Sequence, residues 1–181
     1  MSHLRRISHP RPPILLQIVA AFTLLTACGG SGESKSADSG DSAAAAPVAA
    51  ASATADKGAA TYAQICASCH QANGEGVEGT FPPLKHSSWV TGAPEVPIAI
   101  VLAGLQGDIE VDGKKYAGAM QAWAMLGDED VANVLTYART QWGNSAGPVT
   151  AAQVKAVRDK IGSRTAWTVA ELKAAYPGAG S

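Results

Sequence analysis

Periodic alternation of apolar and polar positions begins only near Lys57, and from there it defines most of the expected elements. Gly58, Tyr62, Ile65 and Cys69 recur at spacings of four, three and four, which predicts one face of a short helix. Glycine in a helix costs about 1 kcal/mol relative to alanine, so Gly58 on that face predicts close contact with another helix. Ile98, Val101, Leu102 and Leu105 predict an amphipathic helix within 94–105, its apolar stripe inward and its end helped by Gly104 and Gly107. Ile109-Glu110-Val111 and Lys114-Lys115-Tyr116 flank Asp112-Gly113, the signature of a two-residue hairpin, so a small hairpin or open turn is expected there.

Asp128, Glu129 and Asp130 place negative charge at a helix start, followed by Val131, Val134, Leu135 and Ala138 on one face. Arg139 suits the opposite dipole end, and Trp142-Gly143-Asn144 stops the helix, with glycine available for a left-handed cap. Thr150 to Gln153 and Thr168 to Glu171 are capping-box signatures for two further helices, carrying Val154, Val157 and Ile161, then Leu172 and Tyr176. These predict a helical arm packed on the outside of the main domain, with a loose end beyond Tyr176. The fold class is therefore all-α, with loops and at most a small hairpin.

Upstream, the pattern changes character. Arg5, Arg6 and Arg11 precede an apolar run from Ile14 to Leu25, too short to span a bilayer and shaped as an export signal. It ends Leu25-Thr26-Ala27-Cys28, similar to the lipobox at which a lipoprotein peptidase cuts before a lipidated cysteine; the alternative is a plain signal peptide. Gly29, in place of aspartate, favours the outer membrane. From Gly29 to about Asp56 the chain is mostly Gly, Ser, Ala and Asp, with one Pro, Val48 as its only branched aliphatic and no aromatic residue, a composition that cannot repay its ordering entropy. As a flexible coil it would reach roughly 30 Å. The expected organisation is a signal peptide over 1–27, lipidated Cys28 and a disordered tether over 28–56, a folded domain over 57–144, and a helical extension over 145–181.

Cleavage before Cys28 removes three of the 14 basic residues and none of the 15 acidic ones. The remaining net charge of about −4 argues against nucleic acid as a partner.

The chemistry is concentrated in Cys66-Ala67-Ser68-Cys69-His70. A CxxCH motif is the arrangement that attaches a c-type haem, with both sulfurs on one helical face and the histidine aimed at the iron. A structural zinc site needs four ligands, and Cys66, Cys69, His70 and His86 could supply them only awkwardly. A redox dithiol would sit in a βαβ pattern, and none is visible. After His70, glycines 74, 76 and 79 allow positive φ and a close pass of backbone over a ring. Pro82, twelve residues past His70, is placed to offer a carbonyl to the second ring N–H of the histidine, fixing its tautomer.

These residues resemble class I cytochrome c: Gly58 and Tyr62 before Cys66-x-x-Cys69-His70, Phe81-Pro82-Pro83-Leu84, Met120, and the helix from Asp128 to Trp142. Trp89-Val90, Gly104 to Gly107, Met120 to Trp123 and Trp142 to Asn144 look, more narrowly, like the cytochrome modules of periplasmic dehydrogenase complexes and of copper nitrite reductase fusions. The chain departs from the pattern at Gln121, where proline is usual, and at Gly127, where Ser or Thr commonly caps the last helix.

The resemblance implies one covalent haem c, bound through Cys66 and Cys69 and ligated by His70 and Met120. Met125 and His86 are the alternative sixth ligands; Met125 lies within three residues of the next helix and His86 beside Lys85. His/Met ligation closes the iron and raises its potential, which implies single-electron transfer rather than catalysis or small-molecule turnover. The rival reading is a haem sensor or peroxidase-like enzyme with an exchangeable sixth position. Trp89, Trp123 and Tyr116 are expected to wall the haem, and Tyr62 and Tyr137 to meet where two helices cross. Lys85, Lys114 and Lys115 are a solvated face or a steering ring for an acidic partner. The implied protein is an exported, membrane-tethered carrier, or a cytochrome subunit of a respiratory oxidoreductase, exchanging electrons with redox proteins on the periplasmic side.

Overall fold

The first helix is interrupted just where its sequence would suggest a continuous 3.6-residue repeat. The computed structural model describes residues 56–181. The segment expected as signal peptide and the lipobox Cys28 therefore lie outside the described residues, as does the expected tether up to residue 55. Helix α1 covers 56–70, starting one residue inside that expected tether, and contains a π turn at Tyr62–Cys66 in which the Ala67 N–H donates to the Tyr62 carbonyl. A π turn delays rotation by about one residue and is often found at functional sites. Here Gly58 before it and Tyr62 at its first position are buried, and the CxxCH motif begins at its last residue, Cys66, and runs on through the α-helical turn Ala67–His70.

Gly58 meets the expectation of a close helix crossing. A Cβ there would run into the Asn133 carbonyl and lie 2.8 Å from the Tyr137 Cβ, both on helix α4 (Asp128–Thr140). Tyr62 and Tyr137 meet at this crossing, 5.4 Å between ring centroids, and Trp142 completes the cluster at 5.0 and 5.6 Å. Helix α4 starts at Gly127 without a side-chain cap, its acidic first turn facing the positive dipole end. It ends with Trp142 and Gly143 both left-handed (φ 55° and 89°). A tryptophan rarely adopts that conformation; the aromatic cluster and a bond from its indole N–H to the Ala72 carbonyl (3.2 Å) hold it.

Helix α2 (Ser88–Thr91) leads to α3 (Glu95–Ala103). Helix α3 corrects the expectation of an amphipathic element: Val96 to Ile100, Leu102 and Ala103 are all buried, so no face is left for solvent. Leu105 and Gly107, read as parts of its stripe and its end, belong to a strand instead. Gly104 alone ends the helix, at φ 82°. The strands β1 (Leu105–Val111) and β2 (Lys114–Met120) pair antiparallel from Val111↔Lys114 out to Leu105↔Met120, a fuller hairpin than the short one expected. Its turn residues Asp112 and Gly113 both have positive φ, the geometry that matches strand twist in a two-residue loop.

The arm consists of α5 (Ala151–Ile161) and α6 (Val169–Ala175), and both capping boxes form as read, Thr150 with Gln153 and Thr168 with Glu171. It is built into the core rather than laid upon it. Val154, Val157, Trp167, Leu172 and Tyr176 join the same buried cluster as α3 and α4. Trp167 is the joint: it pairs with Leu105 across a parallel bridge, and its indole N–H donates to the Ala99 carbonyl (3.1 Å). The tail beyond Tyr176 is not loose. Ala179 is buried, and Gly180 (φ 70°) presses on Trp89 so closely that a Cβ would lie 2.8 Å from its indole nitrogen.

Two polar side chains tie distant segments together. Arg139, 5% exposed, donates from Nε to the Gly147 carbonyl (2.8 Å) and from Nη1 to the Gly92 carbonyl (2.9 Å). Read from sequence as a dipole partner, it is instead a buried stitch, and burial lowers its pKa against the opposing pull of Glu95. Asn144 receives the His86 N–H on Oδ1 (2.7 Å) and donates Nδ2 to the carbonyls of Leu84 (3.0 Å) and Ala138 (2.7 Å).

Candidate functional site

A cavity of about 320 Å³ opens at the end of α1. Cys66, Cys69 and His70 line one side of it; Cys66 closes the π turn, and Cys69 and His70 follow on the next turn. The loop after His70 folds back beneath them. Gly76 is left-handed (φ 65°), with its N–H donating to the His70 carbonyl (3.0 Å), and a Cβ there would lie 2.8 Å from the Pro82 carbonyl carbon. A short bridge between Val77 and Phe81 completes the turn. It delivers the Pro82 carbonyl to 2.9 Å from His70 Nδ1. A carbonyl only accepts, so Nδ1 carries the proton and Nε2 keeps its lone pair. Burial lowers the His70 pKa and outweighs the carbonyl bond, which raises it, so the ring is neutral and ready to ligate.

The remaining walls are apolar. Helix α3 contributes Pro97, Ile100 and Val101, and α4 contributes Val134, Leu135 and Ala138. The hairpin's inner face supplies a third wall, including Ile109, Tyr116 and Met120. Trp89 and Trp123 line the cavity as expected, and Trp89 is fixed by its indole bond to the Glu110 carbonyl (2.9 Å). Of the side chains weighed as sixth ligand, Met120 lines the cavity. Met125 is 77% exposed and His86 is exposed, and neither is part of the lining.

Cys66 and Cys69 form no disulfide. Burial, then the proximity of Cys69, pushes Cys66 up to about 11, so it stays protonated at neutral pH. Among the described residues, no group of three or more His, Cys, Asp or Glu side chains is placed to hold a bare metal ion.

An apolar slot that holds two thiols, one tautomer-locked histidine and one thioether fits an iron porphyrin. A further observation supports the fit. Ser87 is 1% exposed and lines the cavity, and its Oγ has no hydrogen-bond partner in the protein. A buried hydroxyl left unpaired in an otherwise apolar wall suits an occupant with polar groups of its own, as a porphyrin with propionates is. Ser87 carries no sequence signal, since it belongs to no motif and its burial depends on α2 and the far walls.

Lys85 and Lys114 are paired with Glu75 (3.1 Å) and Glu78 (3.0 Å) of the loop after His70, and Lys115 is exposed. Such exposed pairs add little stability. Cys28 lies outside the described residues.

The sequence model of the cytochrome c family matches residues 55–142. Cytochrome c-552 of Thermus thermophilus is 46% identical over 112 residues, covering 57% of this chain and 85% of the relative. The cytochrome c subunit of a quinone alcohol dehydrogenase from Gluconacetobacter polyoxogenes is 38% identical over 106 residues, 56% of this chain but 22% of that subunit. The fructose dehydrogenase cytochrome subunit of Gluconobacter japonicus is 34% identical over 107 residues, again 22% of its own length.

Proposed function

The chain belongs to the cytochrome c family, a c-type cytochrome that carries one covalent haem c and transfers single electrons, and on that premise we propose how its own residues hold the group and where it works. Cys66 and Cys69 form the two thioether links. His70 ligates through Nε2, with Pro82 fixing its tautomer and raising its basicity. Met120, which lines the same cavity, would supply the second protein ligand to the iron. When bound, haem c supplies a one-electron iron couple. The protein's part is to exclude water with the walls of α3, α4 and the hairpin, and to keep both ligands in place so that little reorganises on electron transfer.

The observation that carries this reading is the 2.9 Å bond from His70 Nδ1 to the Pro82 carbonyl, beside a cavity shared by both thiols and Met120. The test is the optical spectrum of the purified holoprotein. A methionine-to-iron charge-transfer band should be present in the ferric form and lost in Met120→Ala. Binding of carbon monoxide to a five-coordinate ferrous wild type would overturn the ligation and restore the sensor or peroxidase-like reading.

The domain over 57–144 with its extension over 145–181 is the electron-transferring unit. Lipidated Cys28, exposed by removal of 1–27, tethers it through 28–56 to the periplasmic side of the outer membrane. No helix among the described residues is long and apolar enough to cross a membrane. The relatives named as dehydrogenase cytochrome subunits support redox proteins as partners, with this chain as carrier or as subunit of a larger oxidoreductase. Mass spectrometry of the mature N-terminus tests the anchor: a diacylglycerol adduct on Cys28, absent in Cys28→Ser, is expected.

A further inference from the structure

We propose that Arg158, from the C-terminal arm, is a positioning residue for the sixth ligand, clamping the loop that follows Met120 back to α4. The inference rests on the reading of Met120 as that ligand. Residues 121–127 are the whole connection between the end of β2 and the start of α4. With Gln121 after the methionine, its backbone lacks the fixed φ a proline would give.

Arg158 supplies the missing constraint from 30 residues away in sequence. Its Nη1 donates to the Ala124 carbonyl and its Nη2 to the Leu126 carbonyl, both at 2.8 Å, while Nε donates to Asp128 Oδ1 at 2.8 Å. One planar fork thus holds two points of the loop and the first residue of α4. Only arginine has donors in that fixed arrangement. The other side of the loop is held by the Trp123 N–H on the Val101 carbonyl (2.8 Å) and lies close over Gly104, where a Cβ would come within 3.0 Å of the Ala122 nitrogen. Met120 therefore ends its strand immediately before a loop fixed from two directions, and Arg158 is the anchor that comes from outside the residues matched by the family's model.

Releasing the fork loosens the loop next to Met120 and so lowers the cost of moving that strand end, and with it the sulfur, away from the iron. An external ligand competing for that position should then bind more tightly. Imidazole is titrated into the ferric holoprotein of wild type, Arg158→Ala, Arg158→Lys and Asp128→Asn, with the methionine charge-transfer band followed and the reduction potential measured on each. Hydrogen bonds to a charged group are strong enough that Arg158→Ala should raise imidazole affinity about tenfold or more. Arg158→Lys should fall between, since it keeps the charge but not the fork, and Asp128→Asn should change affinity least because both carbonyl bonds remain. The potential should fall in the same order as methionine ligation weakens.

An Arg158→Ala protein that melts at a lower temperature yet binds imidazole within about twofold of wild type, with an unchanged potential, would make Arg158 structural only and overturn the clamp. A wild type that lacks the charge-transfer band would overturn the clamp together with the Met120 reading. The two failures are thus told apart by the wild-type spectrum.

Discussion

Asn144 offers the sharpest test of the packing beneath the site. Its amide is buried and makes three hydrogen bonds, and its orientation is fixed because the His86 N–H can only donate to Oδ1. Asn144→Ala strands one N–H and two carbonyls, including that of Ala138 in the last turn of α4. At about 1 kcal/mol for each neutral bond lost, the change should destabilise by about 3 kcal/mol. In a domain of this size that is on the order of 10 °C in Tm.

Asn144→Asp separates this account from a simple volume effect. It keeps the acceptor for His86 but turns a carboxylate towards two carbonyl oxygens, so it should be at least as damaging as alanine despite being nearly isosteric. Thermal and urea unfolding of the holoprotein, followed by far-UV dichroism, measure both. If Asn144→Asp unfolded within about 0.5 kcal/mol of wild type, the value expected of an inconsequential surface site, the reasoning would be wrong.

Other outcomes follow from the same contacts. Gly58→Val should drive α1 from α4, because even a Cβ meets the Asn133 carbonyl, and overpacking of this kind costs about 1–3 kcal/mol; a lowered urea midpoint with quenching changes at Trp142 would report it. Hydrogen bonds from Thr168 lower the Glu171 pKa, so the folded state binds this proton more weakly than the unfolded one. The cap's contribution is therefore present above the ordinary glutamate range and lost as pH falls below it; Glu171→Gln should flatten that part of the stability-against-pH curve, and an unchanged slope would refute the assignment.

What could be read from the sequence was what short-range chemistry decides. The CxxCH spacing, the Asp112-Gly113 turn and the two capping boxes each act within a few residues, and all four are formed by groups adjacent in the chain. Pro82 was legible because a twelve-residue loop with glycines at 74 and 76 has few ways to return. Helix α3 was misread because a hydrophobic stripe presumes one wet side. This helix faces the cavity on one side and the arm on the other, so its periodicity vanishes into burial all round. The hairpin came out longer than its alternation suggested since its inner residues line the cavity, a burial that no local pattern displays. Arg139, Asn144 and Arg158 reach partners up to 60 residues away, and nothing local marks them.

Helix α3 has a consequence for how the protein is put together. It is a party wall: Pro97, Ile100 and Val101 look into the cavity, while the Ala99 carbonyl is held by Trp167 and α5 packs against the same helix. Whatever fills the cavity steadies the surface on which the arm rests, and an ordered arm steadies the wall that receives the group. Filling of the cavity and packing of the arm are then energetically coupled, each favouring the other.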